Sequence, residues 1–237
     1  MTTHIVAMGG GGFSMSGNGA PTSIDNYLLE LSGKSSPLVA FAPTASADDP
    51  TYINRFLTAY GTLGVRTMIL TLWQGAQASV ERLADADVVL VGGGSTVNLM
   101  ALWDAHGVSR AVKQRATRGD VVLAGLSAGA ACWFEGCVTD SFGDFRPWRG
   151  GTGLLPGSFC PHFNSEGGRA PVFTSAVASG VLPGGYGVDD GAALVFADGR
   201  LVRGIAERDG LEALRFDPSN EPTSSGILTE HVPLESL

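Results

Sequence analysis

A serine that attacks a carbonyl needs a tight turn, an exposed hydroxyl and a base within reach. The stretch Val122-Leu123-Ala124-Gly125-Leu126-Ser127-Ala128-Gly129-Ala130-Ala131 offers the first two. An apolar run reads as a strand, Gly125-x-Ser127-x-Gly129 follows, and small residues open what reads as a helix. This is nucleophile-elbow spacing, in which the serine sits on a sharp strand-to-helix turn and small neighbours let the backbone segments pass closely. The helix start behind Ser127 turns N–H groups and a positive dipole end toward an oxyanion. The chemistry implied is nucleophilic acyl transfer. A three-position pattern arises readily by chance in a glycine-rich chain, but the strand before and the small-residue helix after favour the chemical reading.

Four histidines can be tested as the base by position. His4 precedes the first strand, at the end remote from strand C-termini, where open α/β sheets place their sites. His106 closes an ordinary helix ahead of Gly107, where a cation suits the dipole. His231 lies in an aperiodic tail and is expected in solvent. His162, in Phe159-Cys160-Pro161-His162-Phe163, is embedded in apolar sequence and is the base by elimination. An acid should orient it. Gly187-Val188-Asp189-Asp190-Gly191 offers two carboxylates at a glycine-bounded turn, of which one can face the histidine; Asp140 is a further acid beyond the elbow helix. The order Ser127, His162, Asp190 is preferred to the α/β-hydrolase order, which would use Asp190 or Asp198 and then His231.

Gly92-Gly93-Gly94 ends a strand one β-α unit before the elbow. With the Ala128 N–H, a Gly94 N–H would complete an oxyanion hole. The rival reading, phosphate binding, fails on spacing: neither this run nor Gly9-Gly10-Gly11-Gly12 carries a full dinucleotide or P-loop fingerprint.

The elements that must hold these groups alternate short apolar runs with amphipathic ones, the pattern of a parallel sheet covered by helices on both faces. Strands are expected at residues 5–8, 38–42, 65–70, 88–91 and 121–124. Helices are expected at 22–31, from Pro50, at 96–103 capped by Ser95, and at 108–118. Residues 140–157, rich in glycine and carrying two prolines, read as a long surface loop. Segments 187–196, 200–205 and 211–216 read as strands in meander order, a short antiparallel C-terminal extension. The last twenty residues show little periodicity. No linker divides the chain, so residues 1–237 are expected to form one α/β domain.

Composition agrees. Of 237 residues 34 are glycine, about twice the usual share of about 7%, without the period of collagen. A formal charge of −8 with no basic run disfavours nucleic acid. No apolar stretch approaches the roughly 20 residues of a membrane span, and the first residues lack the basic region of a signal peptide. Cys132, Cys137 and Cys160 form no CxxC pair and have no zinc spacing. Reduced thiols in a cytoplasmic protein are expected, with no metal and no cofactor.

Four segments, in order and across most of the chain, resemble peptidase E, the serine aspartyl dipeptidase family with cyanophycinase-like relatives. They are Val91 to Met100 (VGGGSTVNLM), Ala124 to Cys132 (AGLSAGAAC), Cys160 to Phe163 (CPHF) and Gly187 to Leu194 (GVDDGAAL). The resemblance implies a class I glutamine amidotransferase-like fold with serine in the place of cysteine. It implies Ser127 as nucleophile, His162 as base and Asp190 where the family usually has glutamate, one methylene longer. Asp140 matches another family acid near the site. The family cleaves dipeptides beginning with aspartate, gripping the side-chain carboxylate with an arginine after the histidine. Arg169 is the implied counterpart, and a surface arginine opening a helix is the plain alternative. Arg146 and Arg149, in the long loop, are further candidates for that grip. A polymer-cleaving, cyanophycinase-like role has no support in the sequence. The expectation is a cytoplasmic serine peptidase acting on small peptides through an acyl-enzyme, with no nucleic-acid or membrane partner and with a homodimer allowed. The alternatives are a family peptidase without aspartate specificity, an esterase using the same serine, and a sensor domain that binds a small ligand without turnover.

Overall fold

A computed structural model describes residues 2–219 and 226–237 of the chain. Eight strands form the first sheet: β1 (Thr3–Met8), β2 (Leu38–Ala42), β3 (Arg66–Ile69), β4 (Val88–Val91), β5 (Val121–Leu126), β10 (Ala192–Ala197), β11 (Arg200–Ala206) and β14 (Leu234–Ser236). Their order is β14-β11-β10-β1-β5-β4-β2-β3. From β1 to β3 all neighbours are parallel; β10 joins β1 antiparallel and β11 joins β10 antiparallel.

The central strands read as unbroken apolar runs because both faces are covered. In β1, Ile5 and Ala7 pack into one core while Val6 and Met8 pack into the other. One face is covered by α2 (Ser23–Leu31) and α3 (Pro50–Gly61), through Ile24, Leu28, Phe56 and Tyr60. The other is covered by α5 (Thr96–His106) and α6 (Val108–Arg118), through Leu99, Trp103, Val108 and Val112. Shorter helices are α1 (Gly12–Met15), α4 (Ala76–Arg82) and α7 (Ala128–Ala131). The start signals hold: Asp49 caps α3 with Pro50 in its first turn, and the Ser95 hydroxyl accepts from Asn98 N at the start of α5. The expected helix-covered α/β sheet is present.

The second sheet is where structure and expectation part. Its strands are β6 (Gly136–Thr139), β7 (Arg146–Arg149), β8 (Ser158–Cys160), β9 (Gly185–Val188), β12 (Ala213–Pro218) and β13 (Ile227–His231), in the order β13-β12-β9-β8-β6-β7. α8 (Arg169–Ala178) lies against it, and Val138, Cys160, Phe173, Val177 and Phe216 form a third core. The expected loop at 140–157 therefore contains a strand, β7, paired antiparallel to β6. The expected strand at 187–196 is two strands, β9 and β10, belonging to different sheets. Asp189-Asp190-Gly191 between them carries the chain across, with Gly191 at φ +81°. The last residues hold β13 and β14, while residues 220–225 of that tail lie outside the described residues.

Candidate active site

Ser127 follows β5 directly and holds φ 54°, ψ −116°, a conformation strained for a residue with a side chain. Neighbours fix it there. Its N–H donates to Met8 O (3.1 Å), and its carbonyl accepts from Ala130 N and Ala131 N (3.0 and 2.9 Å). The flanking glycines are obligatory on steric grounds. A β-carbon on Gly125 would stand 2.0 Å from Gly129 O, and one on Gly129 would stand 2.2 Å from Val91 O.

His162 leaves β8 at φ 53°, its N–H donating to Gly9 O (3.3 Å) while its carbonyl accepts from Ser165 N and Glu166 N (3.2 Å each). Asp190 sits at the crossing between the sheets, bridged to Gly10, with its N–H donating to Asn164 Oδ1 (3.2 Å). The three side chains meet. Ser127 Oγ lies 2.8 Å from His162 Nε2, and His162 Nδ1 lies 2.6 Å from Asp190 Oδ1. Burial alone would raise the Asp190 carboxyl. Hydrogen bonds from His162 and Ser165, with the charges of His162 and Arg169, outweigh burial and hold it below its ordinary range. The arrangement can deprotonate a serine hydroxyl and stabilise the imidazolium that results.

Asp189 turns elsewhere: its Oδ2 accepts from Glu212 N (2.9 Å), and burial raises its carboxyl. His231 lies on β13 with an exposed side chain, 3.7 Å from Glu212 Oε1. His4 lies on β1, and His106 ends α5 before Gly107, which adopts the left-handed C-cap conformation.

Gly94 has φ +135°, and a β-carbon there would stand 2.2 Å from Ala45 O, the same carbonyl that accepts from Ser95 N (2.8 Å). The Gly93 N–H points to Tyr52 Oη (3.4 Å). Among the described residues no hydrogen bond takes up the Gly94 or Ala128 N–H.

Arg169 opens α8 as expected for a helix-starting arginine, but it is buried, 4% exposed. Its Nε and Nη2 donate to Glu166 Oε2 (2.7 and 2.6 Å), its Nη1 donates to Val138 O (2.8 Å), and the guanidinium lies over the Phe145 ring. Asp140 Oδ1 is 3.9 Å from Nη2. A cleft of about 450 Å³ gathers Ser127, His162, Gly94, Asp140, Glu166 and Arg169, with Ser95, Asn98 and Ser141 also on its wall. Arg146 and Arg149 lie on β7 and do not line it.

Sequence reasoning missed Asn98, Glu166 and Asn164. Their only signals are positional: Asn98 stands one turn into the helix after the glycine run, and Asn164-Ser165-Glu166 is a polar run straight after the histidine.

No helix among the described residues is long and apolar enough to cross a membrane. The model of "Peptidase family S51" matches residues 5–203. The uncharacterized peptidase YgaJ of Bacillus subtilis (strain 168) is 42% identical over 213 residues, covering 90% of this chain and 91% of YgaJ. Two crystal structures share the fold. A peptidase from an acI-B1 actinobacterium aligns at TM-score 0.68 and 15% identity, over 97% of this chain and 96% of that one. A Listeria monocytogenes EGD-e protein assigned by name to peptidase E aligns at TM-score 0.63 and 16% identity, over 85% of this chain and 98% of that one. With the family pattern spanning most of its length, and a relative of this identity over nine-tenths of it, the chain belongs to peptidase family S51.

Proposed function

We propose that this peptidase is a serine enzyme that hydrolyses short peptides through an acyl-enzyme. The carrying observation is the continuous chain from Ser127 Oγ through His162 to Asp190, with Ser127 and His162 on the wall of a cleft. Ser127 Oγ attacks the scissile carbonyl as His162 Nε2 takes its proton, and the Gly94 and Ala128 N–H groups receive the oxyanion. Collapse breaks the C–N bond, and His162 passes the proton to the leaving amine. Water, deprotonated by the same nitrogen, then releases the acyl group and restores the serine. Asp190 keeps the Nδ1 proton in place throughout. Residues 1–237 act as one unit in this reading, because the first sheet supplies Ser127 and the second supplies His162.

The finer proposal is that the peptide begins with aspartate, held at Arg169. Because Glu166 already occupies two of the guanidinium's donors, the substrate carboxylate would have to replace Glu166 there. That saturation favours a second reading, in which the exposed carboxylate of Asp140 and the half-buried one of Glu166 hold the ammonium of any short peptide. The cytoplasm is the proposed setting, since all three thiols are free and buried. Neither a cofactor nor a nucleic-acid partner enters this reading, and a homodimer is compatible with it.

Ser127→Ala should abolish both peptide hydrolysis and labelling by a fluorophosphonate; persistence of either overturns the nucleophile. Labelling accompanied by cleavage of acyl esters alone would leave an esterase. Asp-X peptides compared with Leu-X separate the substrate readings. Aspartate specificity requires faster Asp-X cleavage that Glu166→Gln enhances, whereas equal rates discard it and leave the serine mechanism standing.

A further inference from the structure

A second hollow, of about 420 Å³, adjoins the Ser127 cleft and meets it at Asn98. Beside that asparagine its walls are Thr44 and the apolar Ala45, Ala47, Trp73, Ala101 and Leu102. Asn98 and Leu102 are one turn apart on α5, so the hollow runs along the helix whose N-cap follows Gly94. Ala45 belongs to both features, since its carbonyl seats Gly94 and Ser95 while the residue walls the hollow. The hollow therefore opens within one turn of the carbonyl-binding corner.

Two further observations mark it as built. Trp73 leaves 61% of its surface in solvent, a large apolar area that a ligand would cover. The wall opposite α5 is strained: Ala47 and the following Asp48 hold φ 58° and 55°, a left-handed pair without glycine. Such backbone strain in residues with side chains is concentrated at binding and catalytic sites. Asp48 Oδ2 accepts from Leu72 N (3.3 Å), tying the strained turn to the segment that carries Trp73.

We propose that this hollow is the subsite for an apolar side chain on the residue that leaves as the free amine. The assignment rests on the peptidase reading above. The charged groups Asp140, Glu166 and Arg169 line the Ser127 cleft, and none of them lines the hollow. The charged N-terminal residue of a short peptide belongs among them. The apolar wall beyond Asn98 then receives the side chain on the other side of the scissile bond.

The test uses two dipeptide series, Asp-X and Ala-X, with X as Leu, Phe, Ser or Asp, on the intact chain. In at least one series, Leu and Phe should exceed Ser by about tenfold in kcat/KM, the scale on which an apolar pocket discriminates. Trp73→Ala should shrink that ratio to within about twofold. In the non-hydrolysing Ser127→Ala variant, Ala-Leu should move tryptophan emission to shorter wavelength, and Trp73→Phe should remove that shift. Fluorophosphonate labelling at Ser127 with a flat X profile, or a Leu/Ser ratio unchanged by Trp73→Ala, overturns the subsite alone. Absence of both labelling and hydrolysis overturns the peptidase reading, and the subsite with it. If Trp73→Glu converts a wild-type dimer to monomers while the X profile stays the same, a second copy covers the hollow and the proposal is wrong.

Discussion

The carboxylate of Asp190 lies directly on the bare Cα of Gly10, where a β-carbon would stand 2.1 Å from Oδ1 and 3.0 Å from His162 Cε1. Around this point Gly9 O accepts the His162 N–H and Gly10 O accepts the Gly191 N–H (2.9 Å). The glycine run at the end of β1, which the sequence leaves as a turn without chemistry, is the floor on which histidine and aspartate meet. Gly10→Ala should lower kcat by about a hundredfold or more, because a shift of this pair by about 1 Å is enough for such a loss. Circular dichroism should stay native and KM should change little. Full activity in Gly10→Ala would refute the floor.

Asp190→Asn should lower kcat on the order of 10⁴-fold, by favouring the wrong imidazole tautomer. It should also change acid stability. The folded carboxyl lies below its ordinary value of 3.8, so the ionised form stabilises the fold above that pH. That contribution disappears as pH falls through the lowered folded value. The stability difference between wild type and Asp190→Asn, measured by urea unfolding from pH 6 downward, should narrow once pH drops below about 4. A constant difference would show that Asp190 ionisation is not linked to folding.

The thiols should be silent. Burial pushes Cys137 up to about 12, only partly offset by the Arg169 charge and a hydrogen bond with Thr96, and burial also raises Cys132 and Cys160 strongly. Only the thiolate reacts, so iodoacetamide at pH 8 should modify none of the three in the native protein. All three should react in denaturant. Modification of one native thiol would show that its core opens on the labelling timescale.

Gly129→Ala should fail on stability rather than on chemistry. Its β-carbon would press into β4 at Val91 O, a backbone atom that cannot rotate away. Overpacking of this kind costs about 1–3 kcal/mol or more, which should appear as a lowered urea midpoint at unchanged slope. An unaltered midpoint would mean that α7 can shift away from β4.

Much of the site was legible because its residue types are locally constrained. Only small residues fit around Ser127, and of the two histidines C-terminal to it only His162 is embedded in apolar, proline-bound sequence. The choice of Asp190 over Asp189 rested on the family resemblance rather than on local residue types, because adjacent residues point to opposite sides and nothing local says which side holds the histidine. Here Asp189 bonds back to Glu212 N and Asp190 turns outward to His162. The second sheet was hidden for a related reason. β6, β7 and β8 are three or four residues long, with a glycine in β6 and a proline in β7, too short for alternation to register. The burial of Arg169 also escaped notice, because an arginine opening a helix looks the same in sequence whether it faces water or an internal carbonyl.

The crossing at Asp189-Asp190-Gly191 has a consequence for the order in which the chain is made. Synthesis delivers β5 and Ser127 first, then β8 and His162, and Asp190 only with the step from β9 to β10. Until that step emerges, the nucleophile has no complete relay and the floor at Gly10 has nothing to support. Under the proposed mechanism, a half-made chain thus carries its serine unarmed, and the relay closes only when β10 slots in beside β1.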